Sequence, residues 1–201
     1  MSAALLHRFR TTAARYWKPI QTGIESDDDT SEALRLSGVP AERALHDGVR
    51  LRQPLSPHLS AFRAGTTIAL PPLMDLAWSQ PESDRWIVEG AGGVLVPLND
   101  RELMIDLIVV LGLPAVVAAR SGLGTINHTL LTIEALRARA IPIAGVVTVG
   151  EPNMDNRVAI ETRGHVSVLG EIPRFDPLTP ASLQQAADTL ARGGELDAFL
   201  T

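Results

Sequence analysis

The 201 residues include no cysteine, no excess of basic charge and no long apolar run. Without cysteine there is no disulfide framework, no thiolate nucleophile and no thiolate-ligated metal. Lys and Arg number 18 against 23 Asp and Glu, and the basic residues are scattered along the chain. We therefore expect neither a nucleic-acid partner nor binding to an anionic membrane surface.

The apolar segments are too short or too often interrupted to enter a membrane. His7, Arg8 and Arg10 break the N-terminal segment, which lacks the apolar core of a secretory signal. The longest runs, such as residues 107–113, fall well short of the roughly 20 residues of a membrane span. We expect a cytoplasmic protein with no membrane partner.

The composition is that of a globular protein, with 45% hydrophobic and 20% charged residues. A chain of this length can bury one core, so we expect a single domain over residues 1–201. Apolar runs of strand length alternate with segments of helical period, which predicts an α/β fold with a doubly wound, mostly parallel sheet and helices on both faces. Strands are predicted at 85–90, 113–119, 141–149 and 165–172, and helices at 102–111, 125–140 and 154–163.

The first half is punctuated by proline and glycine and is expected to be rich in loops. Short helices are predicted around residues 30–37, 58–64 and 73–78. Loops held by a rigid scaffold often carry binding residues, so we expect much of the substrate site in this half.

The stretch YWKPIQTG places Lys18 and Thr22 at the exit of a strand. A lysine there can hold a phosphate or a carbamate as a fixed positive charge, and a threonine hydroxyl can orient the same group. The alternative is a surface lysine before a proline turn.

The stretch VEGAGG places Glu89 at the end of an apolar strand, followed by three glycines within four positions. Glycines let backbone N–H groups approach an anion closely, and a carboxylate at that point calls for a cation. Mg²⁺ with a nucleotide phosphate satisfies both requirements. The alternative is a glycine-rich turn with an exposed glutamate.

Two further segments have both a binding and a local structural interpretation. The acidic run 26–32 supplies either a second Mg²⁺ ligand beside Glu89 or a helix start with Asp29 as N-cap and Gly38 just past its end. The stretch SGLGTINHTLLT contains a glycine-rich loop that leads into a helix whose first turn begins at Thr125. The start of this helix is either an anion-binding site or an ordinary helix cap. No chemistry is assigned to His128.

In this order and spacing, the sequence resembles dethiobiotin synthetase, the ATP-dependent family of biotin synthesis. The resemblance runs from Met1 to about Phe175 and depends on the motifs KPIQTG, DDDTSEALRLSG, SPHLSA, VEGAGGVLVPL, GLGTINHTLLTIEALRA, IAGVV and GEIPR. It implies a fold like that of P-loop nucleotide hydrolases and a homodimer. The implied reaction converts 7,8-diaminopelargonic acid, CO₂ and MgATP into dethiobiotin, ADP and phosphate.

The resemblance also implies roles for individual residues. Lys18 matches the lysine that holds the carbamate and the γ-phosphate, and Thr22 its hydroxyl neighbour at the substrate. Asp29 and Glu89 match the two carboxylates that bind Mg²⁺, with Glu89 also near the nucleotide. The other implied contacts are Gly92 and Gly93 beside the substrate amines, Gly124, Thr125, Ile126 and Asn127 at the substrate carboxylate from the partner subunit, and Ile172 and Pro173 at the adenine.

The sequence departs from the family pattern at one position and in one segment. Val149 stands where relatives often have asparagine, which affects base recognition. Family members begin with a strand and a G-x-x-x-x-G-K-T phosphate loop before the helix that resembles SAALLHRFR, so we expect this first strand and the P-loop to be absent from the chain.

Three interpretations of function follow. The first is a working synthetase whose gene starts upstream of Met1. The second is a short, catalytically impaired homologue that binds the diamine or serves as a dimer partner. The third is another P-loop synthetase or ATPase of the same architecture, such as a cobyrinate amidotransferase-like domain or a partition ATPase.

Overall fold

Parallel strands separated by helices form the framework of the chain, as the alternation in the sequence predicts. The computed structural model describes residues 1–81 and 85–190. The chain divides into two compact units, an N-terminal unit of Ser2–Leu111 and a C-terminal unit of Gly112–Thr201 together with Met1. The expectation of a single domain over residues 1–201 stays a prediction.

The N-terminal unit has two small parallel sheets. In the first, β1 is central, with β3 and β5 on either side; in the second, β2 pairs with β4. The strands are β1 Arg15–Trp17, β2 Ile20–Thr22, β3 Ala44–Leu45, β4 Val49–Leu51 and β5 Trp86–Val88, and the helices are α1 Ser2–Arg8, α2 Asp29–Ser37, α3 Pro57–Arg63, α4 Leu70–Trp78 and α5 Met104–Leu111.

The predicted helices of this unit are present, with shifted ends that have local causes. Helix α4 begins at Leu70, three residues before the predicted start, because prolines fit the first turn of a helix. Helix α5 begins two residues later than predicted. Its start is displaced because Leu103 pairs with Pro97 and donates its backbone N–H to Asp106 Oδ2 at 2.8 Å.

An apolar core lies on one side of these elements. Trp17 is one of its largest members, and its indole N–H donates to the Asp47 carbonyl at 2.8 Å. Since alternate residues of a strand face opposite sides, Trp17 packs in this core while Tyr16 and Lys18 face the other side. The buried members are Trp17, Ile20, Leu45, Leu51, Ala61, Ile68, Leu70, Leu73, Ala91, Leu98, Met104 and Leu107.

The C-terminal unit has one parallel sheet in the order β6-β7-β8. Strand β8 begins three residues after its predicted start because His165, with φ at +45°, turns the chain at the end of α7. The α/β prediction is therefore confirmed. The strands are β6 Ala115–Arg120, β7 Ile143–Val149 and β8 Val168–Ile172, and the helices are α6 Thr125–Ala138, α7 Met154–Gly164 and α8 Pro180–Ala187.

Within residues 1–81 and 85–190, no helix is both long and apolar enough to cross a bilayer.

Candidate functional site

Lys18 directly follows β1, and its side chain is only 8% exposed. Strands β1 and β5 pair with Trp17 opposite Val88, and the Glu89 N–H donates to the Trp17 carbonyl at 2.9 Å. Lys18 and Glu89, which directly follow β1 and β5, therefore lie side by side. The interpretation of Lys18 as a surface lysine is wrong, because strand pairing buries it.

Two carboxylates contact the Lys18 ammonium. Its Nζ lies 2.5 Å from Asp29 Oδ2 and 2.8 Å from Glu89 Oε1. The carboxylates are 37% and 31% exposed, so one side of the cluster remains open to solvent. The structure thus brings together Lys18, Asp29 and Glu89, three of the predicted site residues, while their roles stay predictions.

Asp28, not Asp29, caps α2. Asp28 Oδ1 accepts the backbone N–H groups of Thr30 and Ser31 at 3.1 and 3.2 Å. The interpretation of Asp29 as N-cap is therefore wrong. Because its neighbour satisfies the helix start, Asp29 occupies the first turn with a carboxylate that contacts Lys18 instead.

Tyr16 is a residue of this site that the sequence analysis missed. Its hydroxyl donates to Glu89 Oε2 at 3.1 Å, and the residue is completely buried. The Ser2 side chain also hydrogen-bonds to Glu89. The period of two along β1 could have revealed Tyr16, because residues 16 and 18 of an extended strand share a face.

The cluster favours the charged forms of Lys18 and Glu89 and the neutral form of Tyr16. Burial disfavours the Lys18 ammonium, yet the Glu89 and Asp29 carboxylates outweigh it, so the pKa of Lys18 is raised. Burial likewise disfavours the Glu89 carboxylate, yet Lys18 outweighs it, so the pKa of Glu89 is lowered. Burial and the neighbouring Glu89 charge raise the pKa of Tyr16, which keeps its hydroxyl a hydrogen-bond donor.

The remaining predicted residues of the N-terminal unit flank these strands. Thr22 is the last residue of β2 and is half-buried. Gly92 has φ at +79°, and a Cβ on it would lie 3.0 Å from Val96 Cγ2. A Cβ on Gly93 would meet no atom within 4 Å, so a ligand has access to the backbone there.

The C-terminal unit contains the other predicted residues. Helix α6 begins at Thr125, as predicted, after Gly124 with φ at +91° and with no side chain capping it. The Thr125 N–H donates to the Gly122 carbonyl at 3.1 Å, so the N–H groups of Ile126 and Asn127 are the ones in the first turn that suit an anion. Ile172 is the last residue of β8 and is buried, whereas Pro173 after it is exposed.

The carboxylates fit Mg²⁺ as ligands completed by other oxygens. Magnesium is typically bound through one or two carboxylates together with substrate phosphates and water. Asp29 and Glu89 direct one oxygen each at a common point, where Lys18 now neutralises both. Within the described ranges, no three or more His, Asp or Glu side chains lie close enough together to hold a metal ion. Substrate phosphates and water would therefore complete the coordination of Mg²⁺ at Asp29 and Glu89.

The sequence is similar to one protein family and to several of its members. A family model described as "AAA domain" matches residues 1–182. The "ATP-dependent dethiobiotin synthetase BioD" of Brucella ovis is 43% identical over 98% of this chain and 89% of its own length. Proteins of the same name from Nitrobacter hamburgensis and Agrobacterium fabrum are 46% and 44% identical, each over 92% of this chain and 84% of the relative.

Proposed function

The chain belongs to the ATP-dependent dethiobiotin synthetase family, and on that premise we propose that it closes the cyclic urea of dethiobiotin from 7,8-diaminopelargonic acid and CO₂. It is an ATP-dependent ligase of biotin biosynthesis. One observation carries the finer proposal, namely the buried Lys18 ammonium between the carboxylates of Asp29 and Glu89.

The proposed chemistry has three steps. An amine of the substrate attacks CO₂ and loses a proton, which gives a carbamate. A carbamate oxygen attacks the γ-phosphorus of ATP, and the bond to ADP breaks. The second amine then attacks the carbamoyl carbon, loses its proton and expels phosphate, which closes the ring.

Lys18 is the proposed catalytic residue of the phosphoryl transfer. Such transfers depend on positioning and on neutralising charge, and a buried ammonium is more effective than one in water. Lys18 keeps its charge at neutral pH despite its burial, because the neighbouring carboxylates raise its pKa. We assign it to the carbamate and γ-phosphate oxygens, with the Thr22 hydroxyl and the Gly92 and Gly93 backbone bordering the diamine.

Asp29 and Glu89 are the proposed ligands of Mg²⁺. When bound, Mg²⁺ neutralises the phosphate oxygens and holds them in position. Glu89 projects from the end of β5, and Asp29 from the first turn of α2, so rigid elements hold both carboxylates. Ile172 and Pro173 are proposed at the adenine, where the backbone after β8 and the exposed Pro173 ring are the accessible parts.

The start of α6 is the proposed site for the substrate carboxylate. No side chain caps Gly124, so the N–H groups of Gly124, Ile126 and Asn127 suit an anion, which the helix dipole also favours. Thr125, whose own N–H donates to the Gly122 carbonyl, is the fourth residue proposed at this site. In the proposed homodimer this carboxylate belongs to substrate held by the partner subunit.

The test is dethiobiotin formation by the purified protein. We expect product only when the diamine, bicarbonate and MgATP are all present, and one ADP for each dethiobiotin. ATP hydrolysis that ignores the diamine would favour another P-loop enzyme. Diamine binding without product would favour a binding module.

A pair of variants separates the role of Lys18 from a general effect of lost charge. Lys18→Met removes the buried cation, and Arg35→Met removes an exposed cation that pairs with Glu32 at 2.7 Å in the same unit. We expect the first variant to lose product formation and the second to retain it. Equal activity of the two would contradict the assignment of Lys18.

A further inference from the structure

Tyr16 holds the oxygen of Glu89 that Lys18 does not contact. The Tyr16 hydroxyl donates to Glu89 Oε2 at 3.1 Å, while Glu89 Oε1 lies 2.8 Å from Lys18 Nζ. A glutamate side chain has several rotatable bonds, and its terminal torsion is broad. Two partners on separate oxygens restrict that torsion, so the carboxylate faces one direction.

The partner of this phenol differs from that of its neighbour in the strand. A buried phenol or indole needs an acceptor, and the Trp17 indole finds a backbone carbonyl, that of Asp47. Tyr16 is equally buried, yet its acceptor is a side-chain carboxylate at the candidate site. The hydroxyl therefore constrains a mobile charged group rather than a rigid backbone atom.

We infer that the Tyr16 hydroxyl is a positioning group that orients the Glu89 carboxylate so that Oε1 faces the point shared with Lys18 and Asp29. The inference rests on the proposed function, in which Glu89 is a ligand of Mg²⁺. Partners that orient a ligating carboxylate typically contribute about 10–100-fold to metal affinity. In this role Tyr16 acts through Glu89, to which its hydroxyl donates, rather than as a metal ligand.

The first test measures binding of Mn²⁺ alone by the electron paramagnetic resonance of the free ion. Tyr16→Phe removes one hydroxyl and keeps the ring, and Ser37→Ala removes a different buried hydroxyl of the same unit that bonds to the Leu34 carbonyl. We expect about 10–100-fold weaker Mn²⁺ binding in Tyr16→Phe, and a change of less than about twofold in Ser37→Ala. Unchanged binding in folded Tyr16→Phe, or an equal loss in Ser37→Ala, would overturn the inference.

A double-mutant cycle tests whether Tyr16 acts through Glu89. In a Glu89→Gln background, the further change Tyr16→Phe should alter Mn²⁺ affinity little, because the oriented carboxylate is already gone. Losses that multiply would overturn the inference. In turnover assays, Tyr16→Phe should raise the Mg²⁺ concentration for half-maximal rate and leave the KM for the diamine unchanged.

A third measurement needs no loss of the hydroxyl and covers the case in which Tyr16→Phe does not fold. Tyr16 is the only tyrosine of the chain, so 3-fluorotyrosine incorporated during expression gives one fluorine resonance. We expect Mg²⁺ to move this resonance in the wild-type protein and not in Glu89→Gln. A resonance that ignores Mg²⁺ in the wild type would overturn the inference.

These readouts separate the inference from the proposed function. Binding of Mn²⁺ that depends on Tyr16, in a protein that makes no dethiobiotin, would overturn the proposed function and support the positioning role. Dethiobiotin formation by a protein whose Mn²⁺ affinity is the same in Tyr16→Phe would support the proposed function and overturn the positioning role.

Discussion

The two units differ in what their parallel strands bury. In the N-terminal unit, Lys18 and Gln21 are buried polar residues within or directly beyond the strands, and the Tyr16 hydroxyl binds a carboxylate. In the C-terminal unit, β7 buries mainly apolar residues such as Val146 and Val147. Buried charge contributes little to stability, so the buried charge of the first unit is better explained by the proposed chemistry at Lys18 than by a role in holding the fold together.

The cations of the two units illustrate this difference. Lys18 is 8% exposed and lies 2.5 and 2.8 Å from its carboxylates. Arg157 is 31% exposed and lies 3.4 Å from Glu161 and 3.7 Å from Glu171. Exposed ion pairs contribute about 0–1 kcal/mol to the stability of the fold. Loss of one partner of a buried pair costs more, because it leaves the other charge buried without a partner.

The largest expected effect comes from removing each cation in turn. Lys18→Met should lower kcat/KM by about 10³-fold or more and destabilise the fold by about 2–3 kcal/mol, a value reduced because the two carboxylates are about one-third exposed. Arg157→Met should change stability by less than about 1 kcal/mol. Urea unfolding and steady-state kinetics measure both, and equal destabilisation by the two changes would remove the contrast.

The second effect comes from adding one methyl group to each unit. A Cβ on Gly48, with φ at +141°, would lie 2.5 Å from the Pro19 carbonyl, whereas a Cβ on Gly145, with φ at +152°, would lie 2.5 Å from Leu169 Cγ. Alanine at either position should cost about 2–3 kcal/mol. Pro19 follows Lys18, so only Gly48→Ala should also reduce the activity of the folded protein.

Urea midpoints and the kcat of the folded fraction measure these two substitutions. Gly65→Ala serves as the control for conformational strain alone, because its φ is +68° and a Cβ there would meet no atom within 4 Å. A loss of stability in Gly65→Ala as large as in Gly48→Ala would show that backbone strain, not contact with Pro19, is the cause.

The sequence predicted the longer elements and the charged members of the site, and it missed what depends on pairing between distant segments. The predicted helices begin within three residues of their predicted starts because caps, prolines and apolar periodicity are local signals, whereas α8 was not predicted. Strands β2 and β4 have three residues each, too few for a periodic pattern, and were not among the predicted strands. The contact of Tyr16 with Glu89 spans 73 positions and needs the register of β1 against β5.

The N-cap of α2 could not be assigned correctly from the sequence, because adjacent residues of the same type fit the capping pattern equally well. Three consecutive aspartates can each serve as the N-cap, since the preference for this residue type is the same for all three. The backbone settles the choice, because Asp28 is extended with φ at −111° and ψ at 93° while Asp29 is already helical. One residue of difference decides which carboxylate reaches Lys18.

The third effect is a dependence on pH that is confined to the charged cluster. The raised pKa of Lys18 means that its ion pairs are fully present below the ordinary lysine value of 10.5 and are lost as the pH rises through its folded value. The lowered pKa of Glu89 means that its contribution is present above the ordinary value of 4.5 and is lost as the pH falls through its folded value. The stability from this cluster should therefore be constant between about pH 6 and 9.

Lys18 is the only lysine among the 201 residues, so selective labelling gives one side-chain signal for its titration. Glu89→Gln removes the carboxylate that most raises the pKa of Lys18 and should lower that pKa. Glu25→Gln is the control, because Glu25 pairs with the exposed Arg52 and should leave the Lys18 signal unchanged. A Lys18 titration that is the same in all three proteins would contradict the ion-pair geometry.

The smallest expected effect compares one buried threonine from each unit. Thr30 in α2 and Thr129 in α6 are 3% exposed, but Thr30 Oγ1 has no hydrogen-bond partner, whereas Thr129 Oγ1 lies 3.4 Å from Thr125 Oγ1. Valine keeps the shape and removes the hydroxyl. Thr30→Val should stabilise the protein by about 0.5–1 kcal/mol, and Thr129→Val should destabilise it by about the same amount, because only the second loses a hydrogen bond. Urea unfolding measures the change in the free energy of unfolding for each variant. Opposite signs for the two variants would show that the N-terminal unit buries a hydroxyl that its hydrogen bonds leave unsatisfied, whereas equal signs would contradict this explanation.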